Sequence, residues 1–89
     1  MSEEHHHYKN EYYNIDFQEG PVGEAGVNGC QNEDILKVLI HRMYQLQNSF
    51  PCRENALAIT KLEEAKMWLD YRTQKRIEQG VEGKNVAHD

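Results

Sequence analysis

Two stretches of helical periodicity, separated by a Phe-Pro break, constrain the fold of this chain more than any other feature. The first stretch runs from Asn32 to about Gln47, and it opens with a good capping residue followed by two acidic residues. Its apolar residues recur at helical spacing and form one stripe: Ile35, Leu36, Leu39, Met43 and Leu46. Pro51 disfavours helical geometry at Phe50, so the first helix is predicted to end just before that residue.

The second periodic stretch predicts a longer helix from about Arg53 to Gln79, which Gly80 stops. At about 1.5 Å per residue it spans about 40 Å, against about 24 Å for the first helix. Two amphipathic helices joined by a short polar connection form an antiparallel hairpin, so the sequence predicts an all-α fold. The longer helix extends past its partner. Its apolar surface between Trp68 and Ile77 therefore needs another covering, most simply a second copy of the chain.

The composition excludes several classes of protein. The 89 residues suffice for one small domain; 38% of them are hydrophobic, 28% are charged, and the net charge is -5. No apolar run approaches the length of about 20 residues that a membrane span needs, so no membrane partner is expected. A chain with this negative balance does not coat DNA. Two cysteines make no disulfide framework and no apolar stretch follows a basic start, which together predict a reducing, cytosolic compartment.

Charge and periodicity divide the chain into three parts. We predict an acidic arm rich in Tyr and Gly at residues 1–31, a helical hairpin domain at residues 32–80 and a tail at residues 81–89. The arm is expected to be short and irregular, because its glycines recur every third residue from Gly20 onward as in a flexible loop. A partial alternation from Tyr13 to Phe17 allows one short strand or a docking segment. The hairpin buries too little apolar surface to be stable alone, so a homo-oligomer is expected.

The long helix carries a regular apolar seam with polar residues at both ends. Spacings of four and three alternate between its apolar members, as on a coiled-coil face: Ala58, Leu62, Ala65 and Leu69. One further step toward the N-terminus reaches Asn55, and further steps toward the C-terminus reach Arg72 and then Arg76. Charged side chains on such a seam must be paired or solvated.

Two interpretations of these polar residues remain open. In one, Arg72 and Arg76 leave the apolar surface where the hairpin ends and extend to water. In the other, the seam opens into an anion pocket, because guanidinium groups suit phosphates and an asparagine amide reads a base edge or a ribose hydroxyl. Asn55 and Arg72 are seventeen residues apart, about 25 Å along one helix. A shared pocket therefore needs two antiparallel long helices and predicts a symmetric dimer with two equivalent pockets.

Other residues are candidates for the same pocket. Arg53 lies in the first turn of the long helix, where free backbone N–H groups attract anions, although Glu54 partly cancels its charge. Phe50, Trp68 and Tyr71 are candidates for packing against a base or ribose, with core or interface packing as the alternative for Trp68. The sequence offers no carboxylate poised with a histidine, no metal-ligand spacing and no activated nucleophile. We therefore predict no catalysis, no metal and no cofactor.

Several motifs in the hairpin region together resemble a known family. They are Phe50-Pro51-Cys52-Arg53-Glu54-Asn55-Ala56-Leu57-Ala58, Met67-Trp68-Leu69, Arg72-Thr73-x-x-Arg76 and Gly80-Val81-Glu82-Gly83. Over residues 31–83 the chain resembles the helical-hairpin domain shared by phage anti-CBASS and Thoeris anti-defence sponge proteins. The first of these motifs and the Arg-Thr-x-x-Arg ending are specific in combination.

This resemblance implies both a function and a site. Members of the family bind cyclic nucleotide signals of bacterial immune systems and hold them without cleavage. Their ligands are cyclic dinucleotides, cyclic trinucleotides and cyclic ADP-ribose isomers, and their pockets lie between the subunits of homodimers or hexamers. In Thoeris-type members, an Asn at the start of the long helix and two Arg four residues apart near its end contact the ligand. Those positions match Asn55, Arg72 and Arg76.

We therefore expect a non-enzymatic phage sponge that sequesters a cyclic nucleotide in the host bacterial cytoplasm, with a second copy of itself as its protein partner. The expected ligand-binding residues are Asn55, Arg72, Arg76, Phe50, Arg53, Trp68 and Tyr71. The alternative is a small helical phage protein that docks on a host protein through its helix seam.

Overall fold

The computed structural model describes residues 6–80. In chain order the elements are β1 (His7–Lys9), β2 (Asn14–Asp16), α1 (Val22–Ala25), α2 (Asn32–Ser49) and α3 (Arg53–Glu78). The predicted tail at residues 81–89 lies outside the described residues. Within residues 6–80, no helix combines the length and the apolar character that crossing a membrane requires.

The chain clusters into two compact units. One comprises the described residues up to Gln31 together with the end of α3 from Arg76 onward, and the other runs from Asn32 to Lys75. The long helix α3 therefore contributes to both units, and the predicted antiparallel hairpin occupies the second.

Contacts between α2 and α3 fix the antiparallel register of the hairpin. Near the end of α3, Thr73 Oγ1 donates a hydrogen bond to Glu33 Oε2 at the start of α2, at 3.4 Å. Further along, the Tyr44 hydroxyl donates to Glu63 Oε2 at 2.5 Å. Residues at nearly equal distances from the turn thus face each other, as the Phe-Pro break predicts.

Both ends of the hairpin follow the local signals of the sequence. The last helical hydrogen bond of α2 runs from the Phe50 N–H to the Leu46 carbonyl at 2.7 Å, immediately before the proline. At the other end, the Gly80 N–H donates to the Ile77 carbonyl at 3.0 Å, and Gly80 has a φ of 74°. A residue without Cβ adopts that left-handed conformation without steric cost, which is why α3 ends there.

The N-terminal arm differs from the all-α prediction, because it contains an antiparallel β-hairpin rather than irregular chain. His7 pairs with Asp16, Tyr8 with Ile15 and Lys9 with Asn14. Aromatic and β-branched residues such as Tyr8 and Ile15 favour the pleated conformation. The predicted alternation from Tyr13 to Phe17 identified the second strand only.

The turn of this β-hairpin lacks the glycine that usually marks a hairpin in a sequence, which is why the first strand was not predicted. The side chain of Asn10 accepts hydrogen bonds from the N–H groups of Tyr12 at 2.7 Å and Tyr13 at 3.1 Å. Such an Asx turn is a local substitute for a backbone turn and needs no glycine. Beyond it, the Tyr8 and Phe17 rings meet edge to face, with centroids 5.7 Å apart.

The glycine-rich segment is closed by side-chain amides. Gln18 Nε2 donates to the Gly26 carbonyl at 2.7 Å, and Gln18 Oε1 accepts from the Asn28 N–H at 3.0 Å. The Asn28 amide exchanges two hydrogen bonds with the backbone of Glu19, at 2.8 and 2.9 Å. The segment predicted as a flexible loop thus has defined hydrogen bonds and encloses the short helix α1.

Burial in the described part of the chain is sparse. Only two of its side chains are buried, Ile59 at 5% and Arg76 at 7% relative exposure. Many large apolar residues of the hairpin are exposed: Val38, Leu39, Leu57, Met67, Trp68 and Tyr71. Burying a residue of this size stabilises a fold by about 1.5–3 kcal/mol, and a single copy of the chain does not gain that free energy at these exposed positions.

Candidate functional site

The turn between α2 and α3 positions three of the predicted binding residues. Phe50 is 76% exposed at the end of α2. Pro51 and Cys52 follow, and α3 starts at Arg53, whose side chain is exposed in the first helical turn beside the exposed Glu54. The helix start therefore presents one aromatic ring and one guanidinium group to solvent.

Asn55 is held by the same turn. Its backbone N–H donates to Cys52 Sγ at 3.4 Å, so the thiol caps the first turn of α3. Its side-chain Nδ2 donates to the Phe50 carbonyl at 3.5 Å. Within the described residues, Asn55 Oδ1 accepts no hydrogen bond. The acceptor of the half-buried Asn55 amide is therefore unused within this part of the chain.

Arg72 lies at the opposite end of the hairpin. It is exposed on α3, and the neighbouring Thr73 ties this part of the helix to Glu33 at the start of α2. Because α3 is continuous from Arg53 to Glu78, about 25 Å separate Asn55 from Arg72 within one chain. One copy of the chain does not bring the two side chains together.

Arg76 is in a different environment from Arg72. Its side chain is buried, and it clusters with the unit that contains the arm. A buried guanidinium requires partners, and Arg76 has interactions within the described residues. The interpretation in which Arg76 extends freely to water is therefore wrong, while its role toward a ligand stays a prediction.

Trp68 and Tyr71 form an exposed aromatic pair on α3. Their ring centroids lie 6.1 Å apart at an interplanar angle of 70°. Trp68 is 58% exposed and Tyr71 is 54% exposed. Lys75 Nζ lies 5.8 Å from the Tyr71 ring centroid, within the range of a cation–π contact. Residues four apart share a helix face, so Trp68 lies beside Arg72, whereas Tyr71 is rotated about 100° from it.

A second feature of the hairpin, an open groove of about 410 Å³ between α2 and α3, was missed by sequence reasoning. Its lining combines four charged residues with two apolar ones: Lys37, Glu63, Lys66, Asp70, Ile40 and Met67. Lys66 Nζ donates to Asp70 Oδ2 at 2.8 Å. The groove could have been predicted by pairing α2 and α3 residues that lie at equal distances from the Phe-Pro turn, since its lining residues come from both helices.

Hydrogen bonds to two carboxylates that line this groove shift the pKa values of Tyr44 and Lys66. The hydrogen bond to Glu63 raises the pKa of Tyr44, and loss of hydration and the Glu63 charge add to the shift. The hydrogen bond to Asp70, with that carboxylate's charge, raises the pKa of Lys66. Lys66 is therefore already paired with Asp70. The two lysines of the groove are matched by two carboxylates, so the groove offers no concentrated positive charge for an anion.

Comparison with known proteins adds two findings. Residues 9–74 match a family model described as Acb2/Tad1, hairpin domain. A curated protein, Thoeris anti-defense 1 of Bacillus phage SBSphiJ7, is 59% identical to this chain over 70 residues. The match covers 78% of this chain and 49% of the curated protein, so the chain spans about half the length of that relative.

Proposed function

Because this chain belongs to the Acb2/Tad1 hairpin-domain family, we propose that it is a phage anti-defence protein that sequesters a cyclic nucleotide immune signal without cleaving it. The ligand classes are those that the resemblance implies: cyclic dinucleotides, cyclic trinucleotides and cyclic ADP-ribose isomers. The protein acts where these signals are made, in the host bacterial cytoplasm. The 59% identity to a protein named for Thoeris anti-defence supports this role.

In this proposal the pocket lies between two copies of the chain. One observation supports that arrangement most directly: Asn55 and the exposed Arg72 lie about 25 Å apart on one continuous helix. Two long helices in antiparallel orientation bring Asn55 of one copy beside Arg72 of the other, and two-fold symmetry creates two such pockets. The exposed apolar surface of the hairpin supports association into a dimer or hexamer.

The binding chemistry follows from the side chains. Arg72, with Arg76 and Arg53 as further cations, binds the phosphates through charge-assisted hydrogen bonds. Asn55 Oδ1 accepts a hydrogen bond from a ribose hydroxyl or a base amine. Phe50 and Trp68 pack against a base or ribose, while Tyr71 contributes through its contact with Trp68.

Sequestration sets a requirement on affinity. A sponge must compete with the receptor of the signal, which implies a Kd on the order of nanomolar, or about -12 kcal/mol. A small ligand reaches that affinity only when most of its surface is enclosed. An intersubunit pocket provides such enclosure, whereas the open surface of a single hairpin does not.

The test combines a binding screen with recovery of the ligand. Cyclic di-AMP, cyclic tri-AMP, and cyclic ADP-ribose with its isomers are each added to the protein, and the melting temperature is recorded. A tight ligand raises the melting temperature by mass action. The complex is then heat-denatured, and the supernatant is analysed by chromatography. We expect at least one probe to raise the melting temperature and to be recovered intact.

Two other outcomes have distinct meanings. A probe that binds but is recovered as a cleaved product contradicts sequestration and indicates an enzyme. Absence of any shift with all of these probes contradicts cyclic nucleotide binding and favours the alternative, a small helical phage protein that docks on a host protein through its helix seam.

A further inference from the structure

One side chain closes the turn between the two long helices. Gln47, in the last turns of α2, donates from Nε2 to the Cys52 carbonyl at 3.1 Å. Its Oε1 accepts from the Cys52 N–H, also at 3.1 Å. Both polar atoms of the Gln47 amide are therefore used on the backbone of a single residue, and Gln47 itself is half-buried.

The clamped residue determines the start of α3. The Cys52 carbonyl also accepts from the Ala56 N–H at 3.2 Å, and Cys52 Sγ accepts from the Asn55 N–H at 3.4 Å. The orientation of Cys52 therefore sets the first turn of the helix. Asn55 lies in that turn, and its amide is oriented by the Phe50 carbonyl on the other side of the break.

We propose that Gln47 is a positioning residue for the Asn55 half of the ligand pocket, an inference that rests on the proposed function. Gln47 touches no ligand itself. It fixes Cys52, Cys52 fixes the first turn of α3, and that turn holds the Asn55 amide with its acceptor Oδ1 available. A misplacement of even about 1 Å at such a group weakens binding markedly, because hydrogen bonds depend steeply on geometry.

The orientation of Asn55 also defines the ligand group that it contacts. Its Nδ2 already donates to a backbone carbonyl, and within the described residues its Oδ1 has no donor. A phosphate oxygen carries no hydrogen to donate at neutral pH. The group that meets Asn55 Oδ1 in this proposal is therefore a hydroxyl or an amine of the sugar or base and not a phosphate oxygen.

The test uses two substitutions at Gln47 and a matched control. Gln47→Ala removes both hydrogen bonds, and Gln47→Met removes them while keeping an unbranched stem that packs like glutamine. Gln45→Ala changes the same residue type on the exposed face of α2, two positions away. The dissociation constant of whichever probe binds the unmodified full chain is measured by calorimetry, at a temperature where circular dichroism shows every variant folded.

We expect both Gln47 variants to weaken binding by about tenfold or more and Gln45→Ala to leave it unchanged. Gln47→Ala is also combined with Asn55→Ala and with Arg72→Ala. If Gln47 acts through Asn55, Gln47→Ala does not weaken binding further in the Asn55→Ala protein. In the Arg72→Ala protein, Gln47→Ala weakens binding by the same factor as in the unmodified protein. Equal effects of Gln47→Ala in both backgrounds, or unchanged affinity in both Gln47 variants, overturn the proposal.

A ligand-free measurement separates this inference from the proposed function. Amide hydrogen exchange of Cys52 and Asn55 is expected to speed up in both Gln47 variants and not in Gln45→Ala. Unchanged exchange overturns the clamp whatever the ligand does. If exchange responds as expected but no probe binds the unmodified protein, the proposed function fails and the role in ligand positioning fails with it, while the clamp remains a structural feature of the turn.

Discussion

At the scale of single residues, the polar side chains at the two ends of α3 differ in their contacts and in their burial. At its start, Asn55 is held by backbone and thiol contacts from one turn. Toward its end, Arg72 is exposed and Arg76 is buried. Sequence spacing predicted that these three residues share a seam, but it could not predict their burial, because burial depends on side-chain packing that a spacing along one helix does not contain.

Replacing Arg72 tests the anion contact. We expect Arg72→Ala to weaken binding of the cyclic nucleotide by about 3 kcal/mol, on the order of a hundredfold in Kd, because a charge-assisted contact to phosphate is lost. Helix content should not change, since the side chain is exposed. The dissociation constant is measured by calorimetry, with Arg42→Ala, a change at an exposed arginine of α2, as the control. Equal affinities of the two variants would show that Arg72 does not contact the ligand.

The hydrogen bond from Tyr44 to Glu63 makes stability depend on pH on the alkaline side. The pKa of Tyr44 is raised in the folded state, so the neutral hydroxyl stabilises the hairpin fully below its ordinary pKa of 10.0. That contribution is lost as the pH rises through the raised value. Urea unfolding of the unmodified protein and of Tyr44→Phe should therefore differ in free energy at pH 7, and the difference should shrink only as the pH rises past 10.0 and through the raised pKa. A difference that persists unchanged at high pH contradicts this account.

At the scale of elements, the predictable parts are those with strong local signals. The helical period, Pro51 and Gly80 fix α2 and α3 to within about two residues. The β-hairpin of the arm depends on an Asx turn at Asn10 and on amide hydrogen bonds of Gln18 and Asn28, which no period reveals. The groove and the Gln47 clamp require pairing across the turn, so only a three-dimensional register makes them visible.

Gly29 lies in a part of the arm that has no room for a side chain. A Cβ placed there would lie 2.5 Å from the Phe17 carbonyl carbon and 2.6 Å from the Asp16 oxygen, both backbone atoms. We expect Gly29→Ala to destabilise the arm by about 1–3 kcal/mol, because neither atom can move without breaking the Phe17–Cys30 bridge. Faster amide exchange at Cys30 with unchanged exchange within α2 would confirm this. Unchanged exchange at Cys30 would show that the arm tolerates a side chain there.

At the scale of the whole molecule, the central feature is apolar surface that one copy leaves exposed. Among described apolar residues only Ile59 is buried, although the hairpin holds two amphipathic helices. Its seam ends in a polar residue on one side and in an exposed arginine on the other. Under the proposed function, association of antiparallel copies covers the seam and completes the pocket in the same step, so assembly and binding are coupled.

A charge placed in the seam should separate the copies. Ala65 is exposed in the single chain, so Ala65→Glu creates no cavity and leaves the helix intact. In an assembly it buries an unpaired carboxylate at a cost of several kcal/mol, and we expect sedimentation to detect monomers. Ala56→Glu makes the same change at another exposed alanine of α3 and should leave the assembly unchanged. Identical sedimentation of both variants contradicts association through the seam.

The most direct test of the account mixes two defective proteins. Asn55→Ala and Arg72→Ala chains each bind the ligand only weakly alone, because every pocket lacks one group. When the two are unfolded together and refolded in equal amounts, random pairing leaves about a quarter of the pockets with Asn55 from one copy and Arg72 from another. Calorimetry should then recover tight binding at about a quarter of the normal number of sites. If the mixture shows only the weak binding of the two variants and no tight sites, the two residues do not meet across subunits, and the account is wrong.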